Sequence, residues 1–239
     1  MNKLLEINEL NAWYSREKNI LEKLDLEIKE NTIIGLLGLN GAGKTTLMNV
    51  ICGLHEGYSG TVKFRNNEIS FRDNEFKKNR YIVFSEDDSL GYFTFDEYIR
   101  YVFKIYRKQY DKAEADHIVH MFNFESYRSE VMNSLSLGNR RKAFLITGFS
   151  LKPDLLLLDE PVNGLDFQST EALYELISGY KKYGSILFSS HILESVTLTS
   201  DEILILEDGN ISKKFTGEDI TAENIRNSLR FEGDEDNNV

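Results

Sequence analysis

The sequence is poor in cysteine, in proline and in long apolar runs. Of its 239 residues, one is cysteine and two are proline. A lone cysteine, Cys52, excludes an internal disulfide and fits a reducing compartment. No segment approaches the roughly 20 apolar residues that a membrane-spanning helix needs. An acidic residue follows too soon after the start for a signal peptide, so we expect a cytoplasmic protein.

Basic residues are also in short supply. Lys and Arg total 28 against 39 Asp and Glu, which gives a net charge of −11. This excess of acid disfavours direct binding to nucleic acid or to an anionic lipid surface. Attachment to a membrane would therefore run through another protein. The length and the 41% hydrophobic content suit one α/β domain with a modest helical lobe.

Glycine is concentrated in one place, where residues 38–45 read GLNGAGKT. An apolar run precedes this segment and a helical pattern follows it, which is the order of a phosphate-binding loop. The glycines permit positive φ angles, so that backbone N–H groups can surround the phosphates of a nucleoside triphosphate. Lys44 adds a cation, and Thr45 adds a hydroxyl for Mg²⁺. The segment predicts nucleotide binding, and the alternative is a chance glycine-rich turn.

Two adjacent acids, Asp159 and Glu160, follow four consecutive leucines that indicate a strand buried on both faces. In a P-loop enzyme the first acid of such a pair holds Mg²⁺ through water. The second acid is placed to orient and deprotonate the attacking water. The alternative is a pair of solvated acids at the end of a strand.

Three further motifs accompany these two: residues 135–141 read LSLGNRR, residues 163–166 read NGLD and residues 189–191 read SSH. Together the five motifs resemble the nucleotide-binding subunit of an ABC transporter over about residues 4–213. The resemblance implies an α/β P-loop NTPase with a parallel core sheet, an antiparallel β layer and an inserted helical subdomain at about residues 90–150. We expect the ATPase domain to span 1–214, with a C-terminal extension at 215–239 that ends in a disordered acidic tail.

The resemblance assigns roles residue by residue. Glu160 is the catalytic base, His191 contacts the γ-phosphate, and Lys44 holds the triphosphate. Thr45 and Asp159 hold Mg²⁺. The residues expected to contact ATP are Tyr14, Gly38, Asn40, Gly41, Ala42, Gly43, Lys44, Thr45, Thr46, Ser136, Gly138 and Asp166. Tyr14 matches the adenine platform, although Trp13 is adjacent and a core aromatic is the ordinary alternative.

The same resemblance implies ATP and Mg²⁺ as cofactors, and two kinds of partner. Ser136 and Gly138 are expected to reach ATP held by a second ABC ATPase subunit, which is either a copy of this chain or a related one. Transmembrane permease subunits would connect the pair to the membrane.

Three residues depart from the family pattern. Leu137 and Asn139 replace the usual glycine and glutamine of the signature loop. We interpret the loop as functional, because a serine hydroxyl, a glycine N–H and a helix N-terminus still form an anion contact. Glu86 replaces a glutamine, and either contacts the metal or belongs to a solvated acidic loop.

The exact sequence of the signature loop is most similar to that of ATPases associated with bacteriocin or peptide export and immunity. Export of a peptide or a small toxic compound is the resulting expectation. Three alternatives stay open: a regulatory nucleotide-binding protein with weak turnover, a soluble ABC protein acting on ribosomes or DNA, and a P-loop kinase or GTPase.

Aromatic residues are abundant after residue 91. The spacing of apolar residues predicts a helix there, and Thr94 with Glu97 predicts a capping box at its start. The aromatic residues exceed what one helix face buries, so they either dock a partner or pack within the lobe. They are Tyr92, Phe93, Phe95, Tyr98, Tyr101, Phe103 and Tyr106.

Overall fold

The computed structural model describes residues 2–15, 18–84 and 90–230. In these residues ten strands form two sheets, and the helices lie between and around them. The strands are β1 (Lys3–Ser15), β2 (Lys18–Lys29), β3 (Ile33–Leu37), β4 (Tyr58–Phe64), β5 (Asn67–Ile69), β6 (Arg80–Val83), β7 (Leu155–Leu158), β8 (Ser185–Ser190), β9 (Glu202–Glu207) and β10 (Asn210–Thr216). The helices are α1 (Lys44–Ile51), α2 (Asn74–Asn79), α3 (Phe95–Tyr106), α4 (Lys112–Met121), α5 (Leu137–Leu151), α6 (Phe167–Ser178), α7 (Leu193–Thr199) and α8 (Ala222–Arg230).

The larger sheet has the strand order β10-β9-β3-β8-β7-β6, and it is parallel except for the β9–β10 hairpin. Every residue of β3, β7 and β8 is buried, because both faces of these strands are covered, whereas the edge strand β10 alternates between exposed and half-buried residues. In β3, Ile33 and Leu37 belong to one hydrophobic cluster, whereas Ile34 and Leu36 belong to the other. The sheet therefore separates the two halves of the core. The carboxyl ends of β3, β7 and β8 meet at one edge.

The smaller sheet is antiparallel, with the order β2-β1-β4-β5. Its alternating pattern of buried and exposed residues reflects one face packed on the core and one facing solvent. The buried side chains of α1 share a hydrophobic cluster with this sheet and with β3. The predicted parallel core and antiparallel layer are confirmed, and α1 joins them.

The helical lobe comprises α3, α4 and α5. Thr94 and Glu97 form the predicted capping box at the start of α3. Of the seven aromatic residues in this region, three are buried and two are partly buried against the core, so most of them pack within the lobe. Tyr92 and Tyr101 remain exposed. Within the described residues, no helix combines the length and the apolar character needed to cross a membrane.

The division expected after Lys214 falls inside β10, which continues to Thr216. Phe215 packs against the hydrophobic cluster that contains Ile33 and Leu37, and Ile225 of α8 is fully buried in the same cluster. The described part of the C-terminal extension therefore shares the core of the main domain. The acidic tail, residues 232–238, lies outside the described residues.

Candidate nucleotide site

The glycine loop between β3 and α1 adopts the backbone that its composition predicts. Gly41 and Gly43 have φ angles of 88° and 108°, in the left-handed region that favours glycine. A Cβ on Gly38 would lie 2.5 Å from the carbonyl oxygen of Leu206. A side chain at these positions would strain or displace the loop. The loop leads directly into the N-terminus of α1, where unpaired N–H groups favour an anion.

Lys44 begins α1 and is only 6% exposed. Its Nζ donates to the carbonyl oxygens of Gly38, at 2.6 Å, and Leu39, at 3.2 Å. The same atom lies 3.5 Å from Oε1 of Glu160. The loop thus folds around its own buried ammonium group, and a triphosphate would exchange carbonyl and carboxylate partners of Lys44 for phosphate oxygens.

Thr45 and Asp159 face each other across the site. Thr45 Oγ1 donates to Oδ2 of Asp159 at 3.0 Å, and Ser189 Oγ donates to Oδ1 of the same carboxylate at 2.7 Å. A hydroxyl and a carboxylate oxygen at this separation suit Mg²⁺, a hard ion that keeps several waters and takes substrate phosphates as ligands. Among the described residues there is no cluster of three or more His, Cys, Asp or Glu that would hold a metal alone. The two oxygen ligands therefore suit an ion that is shared with a bound triphosphate.

Glu160 and His191 are in direct contact. His191 Nδ1 lies 2.8 Å from Oε2 of Glu160, so both carboxylate oxygens of Glu160 face a nitrogen. The His191 ring is half exposed, whereas the Glu160 side chain is 13% exposed. A partly buried carboxylate between an ammonium and an imidazole is well placed to act on a water molecule beside the phosphates.

Tyr14 lies beside the loop and is 69% exposed. Its hydroxyl is 3.5 Å from Thr46 Oγ1, and its ring meets the ring of His55 edge-on at 4.8 Å. A cavity of about 340 Å³ joins Tyr14 to the loop and to Glu160, and its lining also includes Asn40 and Thr46. Tyr14 is thus an exposed ring at the rim of the phosphate site, whereas Trp13 does not line this cavity.

Ser136, Gly138 and Asp166 form a second group, which does not line the cavity around Lys44. Ser136 caps α5, and its Oγ accepts from the N–H of Asn139. A Cβ on Gly138 would lie 2.4 Å from the carbonyl oxygen of Gly164, so the loop can carry only glycine there without moving. The side chain of Leu137 is exposed.

Asp166 caps α6 and accepts from Nζ of Lys142 at 2.6 Å. This hydrogen bond, helped by the N–H of Ser169, lowers the pKa of Asp166 to about 2. The predicted site residues thus form two clusters. One surrounds Lys44 at the phosphate-binding loop, and the other lies on α5 and α6.

Two residues that touch this site were not assigned a role from the sequence. Ser189 bonds to Asp159 and also accepts from the N–H of Glu160 at 2.8 Å. Arg141 donates to the carbonyl oxygen of Glu160 at 3.1 Å. Both belong to motifs noted in the sequence, SSH and LSLGNRR, but spacing alone does not tell which way their side chains point. Glu86, the third predicted metal ligand, lies outside the described residues.

This combination of fold and site defines an ATP-binding domain of the ABC transporter class. The model of the ABC transporter family matches residues 21–163, more than half of the chain, and the chain belongs to that family. It is an ATP-binding subunit or domain of such a transporter.

Individual relatives agree with this assignment. The chain is 36% identical over 216 residues to the putative ABC transporter ATP-binding protein AlbC of Bacillus subtilis (strain 168), a match that covers 88% of this chain and 90% of the relative. It is 27% identical over 237 residues to the ribose import ATP-binding protein RbsA of Clostridium tetani, covering 93% of this chain and 46% of that protein. The similarity therefore includes an import protein.

Solved structures give the same fold. The structure of an ATP-binding subunit of an ABC transporter superposes with a TM-score of 0.81 at 27% identity, covering 96% of this chain and 95% of that one. A dimeric ATP-binding cassette in a post-hydrolysis state with ADP and Pi has a TM-score of 0.78 at 20% identity, covering 89% and 98%. The second likeness concerns the fold alone.

Proposed function

We propose that this protein hydrolyses ATP at an interface between two cassettes and thereby drives a membrane transporter. The observation that carries the proposal is the contact of Glu160 with both Lys44 and His191, beside the Thr45–Asp159 pair. A phosphate-binding loop, two magnesium ligands and a partly buried carboxylate are the parts that phosphoryl transfer to water requires. A single chain supplies all of these parts.

The proposed reaction begins when the triphosphate displaces the contacts of Lys44 with the loop carbonyls and Glu160. Lys44 and the loop N–H groups then neutralise the phosphate oxygens. Mg²⁺, held by Thr45 and Asp159, would supply further charge to the same oxygens. Glu160 accepts a proton from the water that attacks the γ-phosphorus as ADP leaves, and His191, which contacts Glu160, would contact the γ-phosphate.

The division of the site residues into two clusters supports the proposal of a second cassette. Ser136 and Gly138 do not line the cavity around Lys44 of their own chain. The Ser136 hydroxyl, which accepts from the N–H of Asn139, can still donate, and a glycine N–H at the start of a helix favours an anion such as the phosphates of another subunit. We propose that two such chains, or this chain and a related one, enclose ATP between them.

A phosphate-release assay tests the proposal. We expect turnover with Mg-ATP that is lost on addition of EDTA and in Lys44→Ala. Competition by excess GTP distinguishes an ATPase from a GTPase. A wild type that binds ATP without releasing phosphate would favour the regulatory alternative suggested by Leu137 and Asn139.

We further propose that permease subunits dock in an apolar groove of about 520 Å³ between β6, α2 and α3. Leu54 and Ile105 line it and are 61% and 54% exposed. Lys77, Lys78 and Arg80 also line it, and no acidic residue of the described chain does, although the protein carries a charge of −11. The occupant would be a permease segment with apolar side chains and a carboxylate.

Arg80 supports the carboxylate in this proposal. It is 3% exposed, and its Nη2 donates to the carbonyl oxygens of Cys52 and Phe71, each at 2.6 Å. Its Nη1 has no hydrogen-bond partner in the described part of the chain. A buried guanidinium with a spare donor favours an incoming acceptor.

Membrane co-sedimentation tests the docking surface. In cells that also produce the membrane subunits, we expect the Leu54→Asp variant to be lost from the membrane fraction. The matched control is Leu198→Asp, since Leu198 is similarly exposed at 62% but does not line the groove. Retention of both variants would refute the groove, and loss of both would refute its specificity.

We propose export of a peptide or a small toxic compound, supported only by the similarity of the signature-loop wording to such systems. Uptake of a labelled peptide into inverted vesicles containing the whole transporter would test the direction. Uptake into right-side-out vesicles instead would favour import.

A further inference from the structure

The main chain of Glu160 is held at both of its polar groups by side chains. Its N–H donates to Ser189 Oγ of β8 at 2.8 Å, and its carbonyl oxygen accepts from Arg141 Nη1 of α5 at 3.1 Å. Glu160 has a φ angle of 48°, in the left-handed region that residues other than glycine rarely adopt. Such a conformation persists where the surroundings impose it. The direction in which the carboxylate leaves the main chain is therefore set by its neighbours.

Arg141 also closes the turn that follows Glu160. Its Nη1 donates to the carbonyl oxygen of Asn163, and the N–H of Asn163 donates to the carbonyl oxygen of Glu160 at 3.2 Å. Arg141 is 5% exposed. A buried guanidinium is stable only where acceptors surround it, so its contacts with this turn are strongly held.

The position of Arg141 in the chain adds a second consequence. It lies in α5, five residues after the cap residue Ser136, and Gly138 of the same turn packs against Gly164. The helix whose start would meet the ATP of a second subunit thus also carries the side chain that fixes Glu160 in its own subunit.

We propose that Arg141 is a positioning residue for Glu160. Arg141 acts only through the main chain of Glu160, and in this way it holds the Glu160 carboxylate at the correct angle for the attacking water. The inference rests on the ATP hydrolysis proposed above. Arg141 touches no substrate atom in this assignment, so its loss should slow turnover without weakening ATP binding.

The test compares Arg141→Met, Arg141→Lys and Lys108→Met in ATPase assays. We expect Arg141→Met to lower kcat by about 10- to 100-fold with the ATP Kd unchanged within about twofold. Arg141→Lys, which keeps one cationic donor, should restore part of the rate. Lys108 is the matched control, because its Nζ also donates to two main-chain carbonyl oxygens, those of Leu151 and Lys152, at the other end of α5. Lys108→Met should leave kcat unchanged.

A double variant separates positioning from general weakening of the fold. If Arg141 acts only through Glu160, Arg141→Met should cost nothing further in the Glu160→Gln background. An equal loss in both backgrounds, or a parallel loss of ATP affinity, would overturn the assignment. Unchanged kcat in Arg141→Met beside an active wild type would overturn this inference alone. A wild type without turnover would instead refute the proposed function, and this inference with it.

Discussion

Glu160→Gln is the most informative substitution, because the amide keeps the shape of the side chain but cannot accept a proton. General base catalysis contributes about 10²–10⁴ in rate, so we expect kcat to fall by that factor, or by about 3–5 kcal/mol in activation free energy. The residual rate would come from Lys44 and the loop N–H groups, which the substitution leaves in place.

The affinity of the Glu160→Gln variant for ATP should not fall with kcat, and should be at least that of the wild type. With Oε1 of Glu160 3.5 Å from Nζ of Lys44, the attraction is about 5 kcal/mol at an effective dielectric constant of 20, before desolvation is counted. A triphosphate must replace this attraction and must also approach the carboxylate charge. The neutral glutamine removes both obstacles, so the variant should bind ATP at least as tightly as the wild type.

Slow turnover with tight binding should accumulate the ATP-bound pair of subunits. Light scattering with Mg-ATP is expected to show a stable dimer for Glu160→Gln and a transient one for the wild type. Glu194→Gln makes the same chemical change at an exposed position of α7 and should behave as the wild type. A Glu160→Gln variant with kcat within about threefold of the wild type would refute the assignment of the base.

Four further predictions follow from single contacts. Lys44→Ala should weaken ATP binding by about 1.5–3 kcal/mol, the worth of hydrogen bonds to a charged group, and an unchanged Kd in calorimetry would contradict its phosphate role. Tyr14→Ala should cost about 1–3 kcal/mol of ATP affinity through lost stacking while Tyr14→Phe costs little, and equal affinities of both variants would exclude Tyr14 as the adenine platform. Burial raises the pKa of the Cys52 thiol to about 12, so alkylation at pH 8 should be slow in the native protein and fast in urea; fast native alkylation would show that the thiol ionises readily. The hydrogen bond from Lys142 lowers the pKa of Asp166 to about 2, so its stabilising contribution is present above about pH 4 and is lost as the pH falls towards 2; acid unfolding of Asp166→Asn should lack this component, and identical profiles would contradict it.

Much of the phosphate site was predictable because its residues are contiguous. In residues 38–45 the glycines, the lysine and the threonine lie on one loop, so their spacing fixes which groups can face a phosphate. The capping box of α3 is local in the same way, since Thr94 and Glu97 are one turn apart. The apolar run of β7 likewise indicated a strand that is buried on both faces.

Other contacts depend on residues far apart in the chain. In the parallel register Leu158 pairs with Phe188, and this places Ser189 beside Asp159 and Glu160, about 30 residues earlier. No periodicity in the sequence encodes that alignment, since shifting a strand by two residues would preserve every buried face.

The sequence by itself determined the phosphate loop, the acid pair and the α/β class, because these follow from local spacing and from which residues avoid water. Only the tertiary structure decided that His191 contacts Glu160 and that Arg141 holds the same residue from α5. It also placed Phe215 and Ile225 in the main core. The physical reason is that hydrophobic burial is non-directional, whereas hydrogen-bond partners are chosen only when packed elements bring donors and acceptors within about 3 Å of each other.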